Sequence, residues 1–426
     1  MFAKVLSEKT VWPCVKFSAG DSVLSPRFVI ELAEHGRRVM SKPANLLTPQ
    51  DRVRLISEWA VRCRNPYSPW RKKARLLLHE SVRLSRPMIE MCLDLFFRSI
   101  KSDGLRRLID QNVSKEPQLV GHILPSNVLA ASVESFLAEI VLGNFNLIKV
   151  SSRSPVFPLL VVETLVETDA KLKQYVSLLC WKGGEKVLDT SLISSVDRLV
   201  IYGTKDTIEQ VRAAAPQNVL LNEFGPGFSV GVIEKESAKR KDLITLAWKA
   251  ALDISIYDQR GCLSLQTVFV ERGGEFSPEE FAHALAKALG ELEGQYPLGE
   301  LTVREAAIIR ARRNEWLIRE LSGDEIFQVS DRYGRYTVLF ESSLALDQAV
   351  SGRLVTVRPF SDEAELLNFF SCHKSGFQGL ALVSWTQSEI WQGNDIVRVA
   401  EFGSLHSTML GWQRFPFSRS RAAAQK

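Results

Sequence analysis

"QLVGHILPSNVLAASVESFLAEIVLGNFNLIKVSS", residues 118–152, alternates a short apolar run, a longer helical stretch and a second apolar run. "QLVGHILP" reads as a strand, "SNVLAASVESFLAEIVLG" as a helix that Gly143 can stop, and "FNLIKVSS" as the next strand. The pattern continues outward. "PVFPLLVVETLVETD" is a helix with Pro155 at its start, "YVSLLCW" is strand-like, "DRLVIYG" is a strand and "KDTIEQVRAAAP" a helix. Strand, helix, strand, helix is the signature of a parallel sheet covered on both faces, so the fold class is α/β.

Upstream, the first third reads as helices broken by "SKPANLLTP" and "RNPYSPW". Downstream, "NVLLNEFGPGFSVGVIEK" reads as two strands around a glycine turn. A helix, "SAKRKDLITLAWKAALDIS", leads to the strand "LQTVFVE". A further α/β unit follows, with helix to about 320 and then the strands "YGRYTVLFE", "RLVTVRPF" and "GLALVSW". At 426 residues the chain is too long for one ordinary core, and it is expected to form two or three domains. The expected limits are 1–222 for a first domain, Rossmann-like from about 118, and 223–388 for a second α/β domain. Residues 389–426 form a C-terminal segment that returns to the first domain or serves oligomerisation.

Composition excludes several classes. With 45% hydrophobic and 24% charged residues and no biased tract, the chain is globular rather than disordered or fibrous. Cys14, Cys63, Cys92, Cys180, Cys262 and Cys372 form no C-x-x-C pair and no zinc-spaced cluster, so neither a disulfide framework nor a metal site is expected. The N-terminal stretch lacks the apolar core of a secretory signal, and no run approaches the ~18 apolar residues of a membrane span. A cytoplasmic location is the default expectation. The net charge of +5 is concentrated in segments such as "RVRLISEWAVRCR" and "RKKARLLLHESVRLSR", where apolar residues recur at helical spacing. These arginines read as the wet face of amphipathic helices, with an acidic partner, nucleic acid or the phosphates of a cofactor or coenzyme A, as the other reading. No nucleic-acid module is present.

Several residues can carry chemistry, and each has an ordinary structural alternative. No G-x-G-x-x-G loop joins a strand to a helix, and "GPGFSVG" runs into a strand. Gly203 and Thr204 instead end a strand and open a helix, leaving backbone N–H groups for a pyrophosphate, although many helices begin this way. Lys149, with Ser151, Ser152 and Arg153, lies late in a strand, near the sheet edge where ligands of open α/β sheets bind. It is equally a surface lysine at a strand end. Cys262, in "DQRGCLSLQT", is either a packing residue or a nucleophile. Gly261, Ser264 and Gln266 suggest a loop, while Asp258 and Arg260 suggest polar, partly open surroundings for a thiolate. Glu223 in "NEFGPG" is the acidic residue available to assist it, or is simply solvated. His122 and the adjacent Cys372 and His373 are no more than noted.

Taken in order, "GHILPSNVLAASVESFLAEIVLGNFNLIKVSSRSP", "RLVIYGTKDTIEQVR", "NEFGPGFSVGVI" and "YDQRGCLSLQTVFVE" resemble the acyl-CoA reductase subunit of the bacterial bioluminescence fatty-acid reductase system, within the aldehyde dehydrogenase superfamily. The resemblance covers about residues 118–272. It implies an aldehyde dehydrogenase-like fold with a Rossmann-like cofactor domain lacking the glycine fingerprint, and a catalytic domain carrying the cysteine. Position by position it implies Cys262 as nucleophile, Asn127 in "PSNV" as oxyanion-hole amide and Glu223 as acid/base. Lys149 becomes the ribose contact, with Ser151 and Arg153 beside it, and Gly203–Thr204 the turn beneath the cofactor. Leu265 and Gly261 stand where the family commonly has proline and alanine. The implied activity is NADPH-dependent reduction of long-chain acyl-CoA to fatty aldehyde through an acyl-cysteine. An aldehyde dehydrogenase working oxidatively, or a non-catalytic acyl-binding scaffold subunit, are the alternatives. A homo-oligomer and an acyl-protein synthetase or acyltransferase partner subunit are implied as well.

Overall fold

The computed structural model describes residues 15–17, 25–42, 46–112, 116–126, 128–373, 376–384, 398–408 and 410. They cluster into two compact units. One draws on Met1–Ala74, Ile100–Gly225 and Leu410–Lys426, the other on Arg75–Ser99 and Pro226–Met409. The helical N-terminal part, read from the sequence as belonging wholly with residues up to 222, is thus divided between them.

The first unit is built on six strands, β1 (Val15–Phe17), β2 (Leu119–Ile123), β3 (Phe145–Ser151), β4 (Val176–Trp181), β5 (Arg198–Tyr202) and β6 (Leu220–Phe224), in the order β1-β4-β3-β2-β5-β6. Every pairing is parallel. Strands β2, β4 and β5 are buried along their whole length, as continuous apolar runs in a sheet covered on both faces must be. The chain moves from β2 through β3 to β4 on one side and then returns to β5 and β6 on the other, so the order reverses beside β2. Such a reversal opens a crevice at the carboxyl ends of the strands.

Helix Glu134–Leu142 is buried on all sides and stops at Gly143, whose φ of +89° is the left-handed conformation expected of a helix C-cap. A Cβ there would also meet the Arg52 guanidinium at 2.9 Å. Arg52 itself is buried, donating to the carbonyls of Val141 and Leu47, and Arg71 is fully buried and donates to Cys63 O. These two arginines correct the reading of the basic segments as wholly solvated. They lie within helix Pro49–Arg64 and helix Pro69–Ser81, and serve the interior by satisfying carbonyl groups there.

The second unit holds β7 (Phe228–Ile233), β8 (Leu265–Glu271), β9 (Ile326–Ser330), β10 (Thr337–Glu341), β11 (Leu354–Phe360), β12 (Phe377–Leu382) and β13 (Arg398–Glu401), ordered β13-β12-β7-β8-β11-β10-β9. Only β9, which the sequence reading did not identify, pairs antiparallel among the described strands. Helix Leu243–Ser255 crosses from β7 to β8. Helix Pro278–Gln295 starts at a Ser277–Glu280 capping box and helix Val303–Leu321 at a Thr302–Glu305 one. The first two pack on β8, β10 and β11 in one core around Leu265, Val268, Phe281, Leu285, Val338 and Val355, while Ile309 and Trp316 of the third join Ile326, Leu339 and Leu354 in a separate one. Among the described residues no helix is long and apolar enough to cross a membrane.

Candidate active site

Cys262 lies in the second unit, in the connection that precedes β8, and is half-buried. Its carbonyl accepts from Ser229 Oγ at 2.8 Å, and Ser264 N–H donates to Gly261 O at 3.0 Å, so the residue sits in an ordered turn tied to the start of β7. Cys63, Cys92 and Cys180 are buried, and desolvation raises each thiol, Cys63 to about 12. Those three are packing cysteines.

The approach to Cys262 departs from the sequence expectation. Tyr257, Asp258 and Gln259 all take left-handed backbone conformations, with φ of 58°, 52° and 62°. A side chain in that region costs about 1–2 kcal/mol per residue, so three in a row persist only if neighbours hold them. Asp258, expected with Arg260 in partly open surroundings, is instead 0% exposed; Gln259 is 2% exposed, and Ser264 and Gln266 are buried too. The Asp258 carboxylate meets Arg353 at 2.8 Å and the Gly299 N–H at 2.9 Å. Burial pushes the Asp258 carboxyl up against the pull of Arg353. Arg353, also left-handed at φ 61° and fully buried, gives its other arm to Glu293 at 2.7 Å. Arg260 donates to the carbonyls of Arg83 and Glu300 and pairs with Glu305 at 3.1 Å. Helix Arg86–Ser99 packs against the same turn.

These supports were missed in the sequence. Arg353 sits in "SGRLV" with no local pattern to mark it, and Arg83 lies 177 residues from Arg260. Only the Gly352–Arg353 step before a strand hints at a special turn.

Lys149, Ser151, Arg153, Gly203, Thr204 and Glu223 all belong to the first unit. Lys149 is late in β3, 8% exposed, with its ammonium 5.4 Å from the centre of the Trp181 ring, and burial lowers its pKa. Ser151 closes β3, and its Oγ accepts from the Arg153 N–H at 3.3 Å, leaving the Arg153 side chain exposed. Gly203 follows β5, and a Cβ there would stand 2.9 Å from Thr207. Thr204 caps helix Lys205–Ala214 by accepting from the Thr207 N–H at 3.3 Å. Because all the strands are parallel, the β3 end and the β5 end lie on one edge, on either side of β2. An ammonium and a helix N-terminus on that edge can together hold an anionic ligand.

Glu223 is on β6, and Arg212 takes both its carboxylate oxygens, Nε at 2.9 Å from Oε1 and Nη2 at 2.5 Å from Oε2. Asn127 lies outside the described residues. His122 is a buried neutral residue between Ser135 Oγ at 3.0 Å and Asn146 Oδ1 at 2.9 Å, its pKa pushed down to about 3 by burial. His373 bonds to Phe369 O at the end of helix Glu363–Cys372. Among the described residues no group of three or more His, Cys, Asp or Glu side chains could hold a metal ion.

The family described as Acyl-CoA reductase (LuxC) matches residues 113–413. The long-chain acyl-protein thioester reductase of Aliivibrio fischeri is 27% identical over 283 residues, 66% of this chain and 56% of that protein. That of Vibrio harveyi is 23% identical over 290 residues, 66% of this chain and 58% of the relative. The chain therefore spans little more than half the length of these relatives. Aldehyde dehydrogenase KauB from Pseudomonas aeruginosa superposes with a TM-score of 0.70 at 16% identity, covering 90% of this chain and 82% of that one. An NAD-dependent benzaldehyde dehydrogenase from Corynebacterium glutamicum gives 0.69 at 15% identity, covering 91% and 89%. The fold is that of the aldehyde dehydrogenases, and with most of its length matched the chain belongs to the acyl-CoA reductase (LuxC) family.

Proposed function

We propose that this oxidoreductase reduces long-chain fatty acyl thioesters, acyl-CoA among them, to fatty aldehydes with NADPH, through an acyl thioester formed on Cys262. The single observation that carries the proposal is the half-buried Cys262 in a fastened, strained turn, where the other cysteines of the interior are sealed and desolvated. A thiolate exchanges thioesters at little energetic cost, because one thioester bond replaces another. The Cys262 sulfur attacks the acyl carbonyl carbon, the carbon–sulfur bond to coenzyme A breaks, and coenzyme A leaves as thiolate to take a proton. Asn127, with the Cys262 N–H, would hold the oxyanion, and one such donor typically contributes ~3 kcal/mol to the transition state.

The first unit's sheet edge suits a dinucleotide. Bare Gly203 leaves the floor of its turn open where a Cβ would press on Thr207, the helix after Thr204 presents its first-turn amides, and Lys149 can donate to ribose hydroxyls. When bound, the cofactor supplies the hydride that reduces the acyl carbon. The resulting thiohemiacetal on Cys262 then collapses to aldehyde and restores the thiolate. Water attack on the acyl-cysteine would release acid instead. Glu223, paired with Arg212 through both oxygens, is the proposed acid/base, and the reductive direction requires water attack to be slow. Cytoplasmic location, a homo-oligomer and an acyl-supplying synthetase or acyltransferase subunit complete the reading.

Purified protein given long-chain acyl-CoA and NADPH is expected to form aldehyde, and Cys262→Ala to lose at least ~10³-fold of that rate. Equal activity in the variant refutes the cysteine mechanism. Acid formed from free aldehyde without coenzyme A would mark the oxidative enzyme, and a labelled acyl adduct unchanged by NADPH would mark a scaffold subunit.

A further inference from the structure

Resting on the acyl-cysteine reading, we propose that Gln259 is a positioning residue for the nucleophile. Its side-chain amide locks the left-handed turn to the far end of the loop that presents Cys262 and to the start of β11. One amide does three things. Nε2 donates to Leu265 O at 2.8 Å and to Leu354 O at 2.6 Å, while Oε1 accepts from Leu354 N–H at 2.7 Å. The first bond closes the segment 259–265 on itself, and Cys262 is its midpoint. The other two fasten the closed loop to the first residue of β11, a strand that flanks β8 in the sheet.

The backbone needs this. Three successive side-chain-bearing residues hold φ between 52° and 62°, a conformation their own sequence does not favour. The segment entering β11 grips the turn a second time through Gly352 N–H to Asp258 O at 3.0 Å and a third time through Arg353 and Asp258. Gln259 is buried like that ion pair, at 2% exposed, and differs from it in being neutral. Its removal takes away geometry without stranding a buried charge. Glutamate at the position would lose both donors and face two carbonyl oxygens with a carboxylate, so the amide itself is required.

Displacing a reacting atom by about an ångström costs up to ~10²-fold in rate. In a background with Cys14 and Cys372 changed to serine, Gln259→Ala and Gln259→Gly are expected to slow single-turnover acylation of Cys262 by long-chain acyl-CoA by ~10- to ~10²-fold. Alkylation of the same thiol by iodoacetamide, a small reagent that needs no alignment, should change less than ~3-fold, and KM for acyl-CoA should change little beside kcat. Glycine relieves the left-handed penalty, so Gln259→Gly should have the higher thermal midpoint of the two while acylating as slowly as Gln259→Ala. It is the variant to read if alanine prevents folding. Acylation at the parent rate in Gln259→Gly, or equal slowing of acylation and alkylation, overturns the proposal. The underlying reading fails separately, if Cys262→Ala still accumulates an acyl adduct or makes aldehyde.

Discussion

In the proposed function the turn at Gly203–Thr204 would hold the cofactor and the turn at Tyr257–Gln259 would present Cys262, and the two are built by opposite means. At the first, a glycine stands where a Cβ would press on Thr207 and a threonine caps the helix, all within five residues. At the second, residues with full side chains adopt left-handed backbone. They stay there through Leu354 and Arg353, some 95 residues away. A turn that carries only backbone amides can be written locally. The one proposed to aim a single sulfur atom is held by ties from distant segments.

The sharpest way to break this comparison is to remove the non-local tie. Arg353→Met removes the cation that the Asp258 and Glu293 carboxylates share and leaves the fully buried Asp258 with the longer ion-pair contact to Arg260 at 3.9 Å. Breaking such a buried pair typically costs ~3–5 kcal/mol, so the denaturant midpoint should fall steeply. An unchanged midpoint would mean that the turn holds itself.

A second tie is pH-dependent. Asp253, at the end of the helix that leads into the turn before Cys262, accepts from Gly403 N–H at 2.6 Å and Leu405 N–H at 3.1 Å, and burial raises its pKa to about 7. From the ordinary 3.8 up to about 7 the folded chain keeps a proton that the unfolded chain has released. The stability contributed by this group is therefore complete below that window and is lost as pH rises through it. Asp253→Asn should be less stable than the parent at pH 4, with the gap narrowing by on the order of 4 kcal/mol by pH 7. A gap that stays constant over that range would contradict the assignment.

The smallest effect belongs to the locally written turn. Thr204→Ala removes one helix cap and should lower stability by ~1 kcal/mol. If the turn carries the cofactor, KM for NADPH should rise with little change in kcat. A loss as large as that of Arg353→Met would erase the difference between the two turns.

How much of the molecule could be read in advance follows the same division. The strands from Leu119 to Phe224, the Gly143 stop and the Thr204 cap were all legible, because period, capping and glycine conformation act over a few residues. Cys262 was legible as a cysteine in a polar loop, yet the surrounding polar residues were misread. Asp258 and Gln259 face inward, since their partners come from the segment at 352–354 and no nearby residue announces them. The contribution of residues 83–99 to the same turn was equally hidden, as was the use of Arg52 and Arg71 inside the first unit.

By itself, then, the amino-acid order determined an α/β chain, the parallel strands of the first sheet, its helix caps and a set of chemically able side chains, because apolar period and local backbone preference are short-range properties. Which cysteine stands half-open in a fastened turn, and which polar side chains are spent on holding it, only the tertiary structure decided. Burial and hydrogen-bond pairing depend on residues that folding brings together from far along the chain.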